Sequence, residues 1–136
     1  DATEELTNEI ASGIYSPQAS EKTYTKLLEL CTQVITAGYS VIIDAAFLDP
    51  EQRQPFKQLA DKLGVTYRIL ETTAENDVLR QRIKQRRNDV SDADLSVLEH
   101  QIKNWQPLLE QEMENLVTVD TGKELELSQL IKNLTE

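Results

Sequence analysis

Val41-Ile42-Ile43-Asp44-Ala45-Ala46-Phe47-Leu48, followed directly by Asp49-Pro50, is the stretch whose reading decides the fold. An unbroken Val-Ile-Ile run suits a strand buried on both faces, as in a parallel sheet with helices packed on each side. The run ends on a carboxylate. In open parallel sheets ligands bind beyond the carboxyl ends of the strands. Asp44 at such an end is either a site residue or a turn former whose oxygens satisfy loop N–H groups. It is the leading candidate for function, and the rest of the chain has to decide between the two readings.

Working outward, Ser16-Pro17 offers an N-cap with proline at the first helical position, predicting a helix to Ala37 that stops at Gly38. Its apolar stripe is Tyr24, Leu27, Leu28, Cys31, Val34 and Ile35. Cys31 falls on that stripe and reads as core, since buried thiols are inert and no His lies near it in sequence. Ahead of this helix, residues 1–12 are polar with sparse apolar positions. After the central run, Asp49-Pro50 repeats the cap-plus-proline signal and predicts a helix over residues 50–63, closed by Gly64. Pro55 lies inside it and predicts a kink or short break near residues 52–54.

Residues 65–70 read as the next strand, which makes a right-handed strand–helix–strand unit. Thr73 then caps a helix over residues 74–87 with Val78, Leu79 and Ile83 facing inward, and Ser91 starts another bearing Leu95, Leu98, Ile102 and Trp105. His100 lies off that stripe and reads as exposed. Residues 116–119 suit a third parallel strand ending on Asp120, and residues 125–134 form a closing amphipathic helix. No repeat, low-complexity run or long linker interrupts the chain, so one α/β domain over residues 1–136 is expected.

Composition narrows the class. A chain of 136 residues with 39% hydrophobic and 28% charged positions has ordinary globular make-up. The formal charge of -10 argues against nucleic acid or anionic lipid as a general partner, while leaving room for a local phosphate site. One Cys and one His make neither an internal disulfide nor an ordinary zinc site. No stretch approaches the roughly 20 apolar residues of a membrane span, and the acidic start lacks the basic residues of a signal peptide. A cytoplasmic protein is expected.

One patch opposes the overall charge. Residues 80–87, Arg-Gln-Arg-Ile-Lys-Gln-Arg-Arg, hold five of the chain's fourteen basic residues. Arg82 and Arg86 are four apart and share a helical face, off which Arg80 and Arg87 lie. Guanidinium forks match phosphate oxygens and stabilise charge on a transferring phosphoryl group. The plainer alternative is a solvated face, because basic residues also favour helix C-termini. Residues 88–92, polar and placed between two helices, have the arrangement of a lid.

Together, Ile14-Tyr15-Ser16-Pro17, Gly38-Tyr39-Ser40 with the central run, Arg82-Ile83 with Arg86, and Ser91-Asp92-Ala93-Asp94-Leu95 with Val97-Leu98-Glu99 resemble a known family. It is that of the predicted P-loop kinases of the AAA-ATPase-like group. These are bacterial proteins often fused to an aminoglycoside-phosphotransferase-like domain, and distantly similar to polynucleotide kinases and zeta toxins. The resemblance covers nearly all of residues 14–121. It implies a three-layer P-loop NTPase-like core and transfer of phosphate from ATP, with Mg²⁺, to a hydroxyl of a small-molecule or nucleotide-like acceptor. It implies that Asp44 faces the acceptor and metal side. Arg82 and Arg86 would belong to a lid over the triphosphate within residues 80–95, with Thr121 and Gly122 on the nucleotide side.

One departure limits what the 136 residues do unaided. The family's Walker A loop, G-x-x-x-x-G-K-[ST], is not among them: Gly122-Lys123 is followed by Glu124, and Val117 stands where the first glycine belongs. The first strand, phosphate loop and first helix are therefore expected to be missing from this stretch, and with them the N–H cradle for phosphate. Weak or no ATP binding by these residues alone is the consequence. Two other classes are weighed against the kinase. A phosphoacceptor receiver domain needs an early acidic pair after a strand, and Glu4-Glu5 follows none. A non-catalytic interaction module with a degenerate kinase fold needs only the missing loop. The sequence ahead of residue 1 separates module from enzyme.

Overall fold

The structure, a computed structural model, describes residues 17–85 and 92–135. Helix α1, Pro17–Thr36, begins on its proline as expected. It ends where Gly38 takes a left-handed φ of 88°. The Gly38 N–H then reaches the Ile35 carbonyl at 2.9 Å and the Tyr39 N–H that of Val34 at 3.2 Å, which satisfies two carbonyls of the last turn. Helix α2, Pro50–Leu63, is bounded by the signals read from sequence. The Asp49 side chain accepts the Gln52 N–H at 3.0 Å, and Gly64 sits at φ 65°. The helix is continuous through Pro55, so the expected break does not occur. Pro55 lies near the N-terminal end, where losing one rung of the ladder leaves most of the helix intact.

The expected central strand is not there. Residues 41–44 belong to no strand, and Ile42 is 95% exposed. The described sheet has two strands, β1 (Ile69–Thr73) and β2 (Leu116–Asp120), paired in parallel with Ile69 opposite Leu116 and Thr73 opposite Asp120. A β-branched run favours strand only where a neighbour completes its hydrogen bonds, and no described strand pairs with residues 41–44. The strand–helix–strand unit expected over residues 41–70 is therefore not formed. The parallel crossover instead runs from β1 to β2, through helices α3 (Asn76–Gln85) and α4 (Asp92–Asn104) and a 3₁₀ segment, Glu110–Asn115.

Strand β1 is also displaced from the expected residues 65–70. The Val65 N–H still bonds the Ala60 carbonyl at 3.1 Å, so the chain there is completing the end of α2. Thr73, expected as a helix cap, is instead the last residue of β1, and its hydroxyl donates to the Val119 carbonyl at 3.3 Å. The Ser91 cap expected for α4 lies outside the described residues, as do residues 88–91 of the polar loop expected over 88–92, while Asp92 is the first residue of α4. Trp105 falls just beyond α4 and is half-exposed, not on its buried stripe. Helix α5, Leu127–Thr135, closes the described chain.

The core is small. Among the described residues Cys31, Phe56, Ala60 and Val119 are its buried apolar members, and burial pushes the Cys31 thiol pKa up. Cys31 thus packs as expected. Around Phe56 the rings stack in sequence, Tyr24 on Phe47 at 5.2 Å and Phe47 edge-on to Phe56 at 5.3 Å. No helix of the described residues is long and apolar enough to cross a membrane.

Candidate functional site

The carboxyl end of β2 gathers the basic and turn residues. Asp120 closes the strand, and the Gly122 N–H donates to its Oδ1 at 2.9 Å. A Cβ on Gly122 would stand 3.1 Å from that same oxygen, so the turn favours glycine by space. Lys123 Nζ lies 2.9 Å from Asp120 Oδ2. The Lys123 ammonium, the Gly122 N–H and the nearby Arg82 charge hold the Asp120 carboxyl below its ordinary range, and Asp120 in turn raises the Lys123 pKa. The turn is also tied to the neighbouring strand. Both the N–H and the hydroxyl of Thr121 reach the Thr73 carbonyl, at 2.8 and 2.9 Å.

Arg82, on α3, reaches down onto this turn. Its Nη1 donates to Thr121 Oγ1 at 2.9 Å and its Nη2 to the Thr121 carbonyl. Two donors of the fork are thereby occupied and the guanidinium is oriented, while its remaining N–H groups stay available to an anion. Arg82 is exposed, with Ile83 beside it half-buried toward the core. Three residues expected on the nucleotide side, Arg82, Thr121 and Gly122, thus meet in one place. Arg86, the fourth, lies outside the described residues.

Arg80 proves to be more than a solvated residue. Its Nε and Nη2 grip Glu99 Oε1 and Oε2 at 2.8 and 3.3 Å, and its Nη1 reaches Asp77 at 3.1 Å. Glu99 is raised on α4, so this bidentate pair fastens α3 to α4. The hydrogen bond from Arg80 lowers the Glu99 pKa, and Glu99 raises that of Arg80. Arg87 lies outside the described residues. His100 is exposed, as its place off the α4 stripe predicted.

Asp44 stands apart from this group, on the irregular segment between α1 and α2. It is exposed, and no hydrogen bond joins its carboxylate to a described residue. The segment that carries it is nevertheless held. The Phe47 N–H donates to Tyr24 Oη at 2.9 Å, the Phe47 carbonyl accepts from Arg53 Nη1 at 3.0 Å, and the Leu48 carbonyl accepts the Gln106 N–H at 2.6 Å. Among the described residues no group of three or more His, Cys, Asp or Glu is placed to hold a metal. Magnesium asks for less, because it is commonly bound through one or two carboxylates with the substrate's phosphates completing the shell. The free oxygens of Asp44 fit that modest demand.

Residue-by-residue reading missed the buried pair of Arg53 and Glu112, and the lysine that partners Asp120. Arg53 sits three positions before Phe56, on the apolar side of α2, and a charged residue at that spacing was the available signal.

The described residues form a mixed α/β fold with a two-stranded parallel sheet, which fits part of a P-loop NTPase-like core. A family model described as AAA domain matches residues 2–108, and the chain belongs to that family. No curated protein and no solved structure matches the chain significantly.

Proposed function

We propose that the intact protein transfers the γ-phosphoryl group of ATP to a hydroxyl of a small-molecule or nucleotide-like acceptor. The observation that supports this reading best is the seating of Arg82 on the Thr121-Gly122 turn. A guanidinium held by a carbonyl and a hydroxyl is pre-oriented, and pre-oriented donors stabilise charge on a moving phosphoryl group without reorganising. In this reading Arg82, with Arg86, meets the triphosphate, Thr121 and Gly122 border the nucleotide, and Asp44 takes the acceptor's proton or contacts the metal. Mg²⁺ would supply neutralisation of phosphate charge, with Asp44 as its protein ligand. The reading requires a glycine-rich phosphate loop, which the 136 residues do not contain. A fused aminoglycoside-phosphotransferase-like domain fits the same reading as a neighbour.

Single-turnover transfer from MgATP by the intact protein tests this. Arg82→Lys should slow the step by about tenfold or more while nucleotide affinity changes little, since an ammonium cannot reproduce the planar bidentate fork. Lys84→Arg, an exposed change on the same helix, is the control, and Arg80 is unsuitable because it joins α3 to α4. Equal rates for all three proteins would remove Arg82 from the mechanism. A folded protein showing no transfer, with no glycine loop ending in Lys-Ser or Lys-Thr ahead of residue 1, would favour a non-catalytic module instead.

A further inference from the structure

Arg53 and Glu112 are the buried charged residues among those described, 4% and 9% exposed. They lie outside the group around Arg82. Every donor of the Arg53 fork is engaged. Nε and Nη2 meet the two Glu112 oxygens at 2.8 and 3.0 Å, Nη1 reaches the carbonyls of Phe47 and Gln106 at 3.0 and 3.5 Å, and Nη2 also reaches Pro107 O at 3.3 Å. Glu112 Oε2 accepts the Leu109 N–H at 2.7 Å as well. A buried ion pair is poor at adding stability, because desolvation offsets most of its attraction. Its distinctive product here is geometry: one planar fork sets the segment after Asp44 against the segment that leaves α4.

Phe47 shows what that geometry imposes. It is the one non-glycine residue with positive φ, 46°, among those described. A bulky side chain holds such a conformation only where its surroundings over-determine it. Here Tyr24 takes its N–H, Arg53 its carbonyl, and Phe56 packs on its ring. One residue later, the Leu48 carbonyl accepts the N–H of Gln106, two positions past the end of α4. The backbone that presents Asp44 is therefore fastened to the base of the helix that Arg80 joins to α3, and α3 carries Arg82.

We infer that Arg53 is a positioning residue: through its pair with Glu112 it sets the segment bearing Asp44 relative to α4 and, through α4, to α3, which bears Arg82. This rests on the phosphoryl-transfer reading for its consequence, though not for its geometry. Two readouts on the full-length protein separate it from mere core filling. In Arg53→Lys, amide exchange at Phe47 and Gln106 should accelerate by about tenfold, while amides in the middle of α2 stay within about twofold of wild type. Leu59→Ala, a truncation of half-buried Leu59 later in α2, serves as the destabilised control and should show no such selectivity. Glu112→Gln keeps a neutral acceptor opposite Arg53 and should give the same pattern more weakly, which decides the matter if the Arg53 variant does not fold.

With MgATP, the same variants should lose kcat by about tenfold with the nucleotide KM nearly unchanged. Uniform acceleration at all amides, or an unchanged Phe47, would overturn the inference. So would a loosened segment with unaltered kcat. A wild-type protein without transfer activity would overturn the proposed function alone, and the exchange pattern would then decide whether Arg53 sets the segment.

Discussion

Asp44 and Arg82 stand in different physical situations, and their variants should fail differently. The Asp44 carboxylate is exposed and bonded to no described residue, so its removal costs little folding energy. In the proposed reaction Asp44→Asn should lower turnover by roughly 100-fold or more while leaving the unfolding midpoint near wild type. Turnover and thermal unfolding measured on one preparation check both halves, and unchanged turnover would reduce Asp44 to a turn residue. Arg82, by contrast, is tied into the Thr121 turn, and its lysine variant acts on orientation as much as on charge. The role of Asp44 was open in the sequence because a strand-end aspartate and a loop aspartate look alike there. The anchoring of Arg82 was not legible, since Thr121 lies 39 positions away.

Among the elements, α2 is the one whose bounds follow most directly from local chemistry. Asp49 and Gly64 act as its cap and stop within a turn of their own positions, so no distant contact is needed to place them. Asp49→Ala should destabilise the protein by about 1 kcal/mol, read from urea unfolding as a shift in midpoint without a change in slope. A shift below about 0.2 kcal/mol would mean that the Gln52 N–H finds another acceptor. Strand β1 shows the opposite case. Its residues are placed by pairing with β2, more than forty positions later, and local propensity put the strand four residues too early. Residues 41–43, Val-Ile-Ile, have high strand propensity, yet form no strand. Propensity states a preference, and a ladder requires a partner.

For the molecule as a whole, the Arg53–Glu112 pair links α2 and the segment after Asp44 to the 3₁₀ segment, which the chain places far from both. Arg53 holds the Glu112 carboxyl below the ordinary range, against a burial that would raise it, and the Leu109 N–H adds to the lowering. A carboxylate with a depressed folded pKa contributes stability that is present above its unfolded value and is lost as pH falls through the folded one. Acid should therefore begin to destabilise the protein below about pH 4.3. Asp120 and Glu99 are shifted the same way but are exposed, and solvent screens them. Glu112→Gln should be less stable near neutrality, and its deficit should shrink as the pH drops. Thermal unfolding of both proteins between about pH 3 and pH 7 checks this, and a deficit independent of pH would count against Glu112 as the titrating group.

Breaking the pair outright, as in Glu112→Ala, leaves a buried guanidinium uncompensated and should cost about 3–5 kcal/mol. By itself the sequence determined the α/β class, the order of the helices and the bounds of α2, because caps, stops and helical periodicity act over a few residues. Tertiary structure alone decided which strands pair, where Arg82 is seated, and that Arg53 and Glu112 meet 59 positions apart. Those outcomes depend on which distant groups close a hydrogen bond or share a burial, and no local pattern encodes the distance between them.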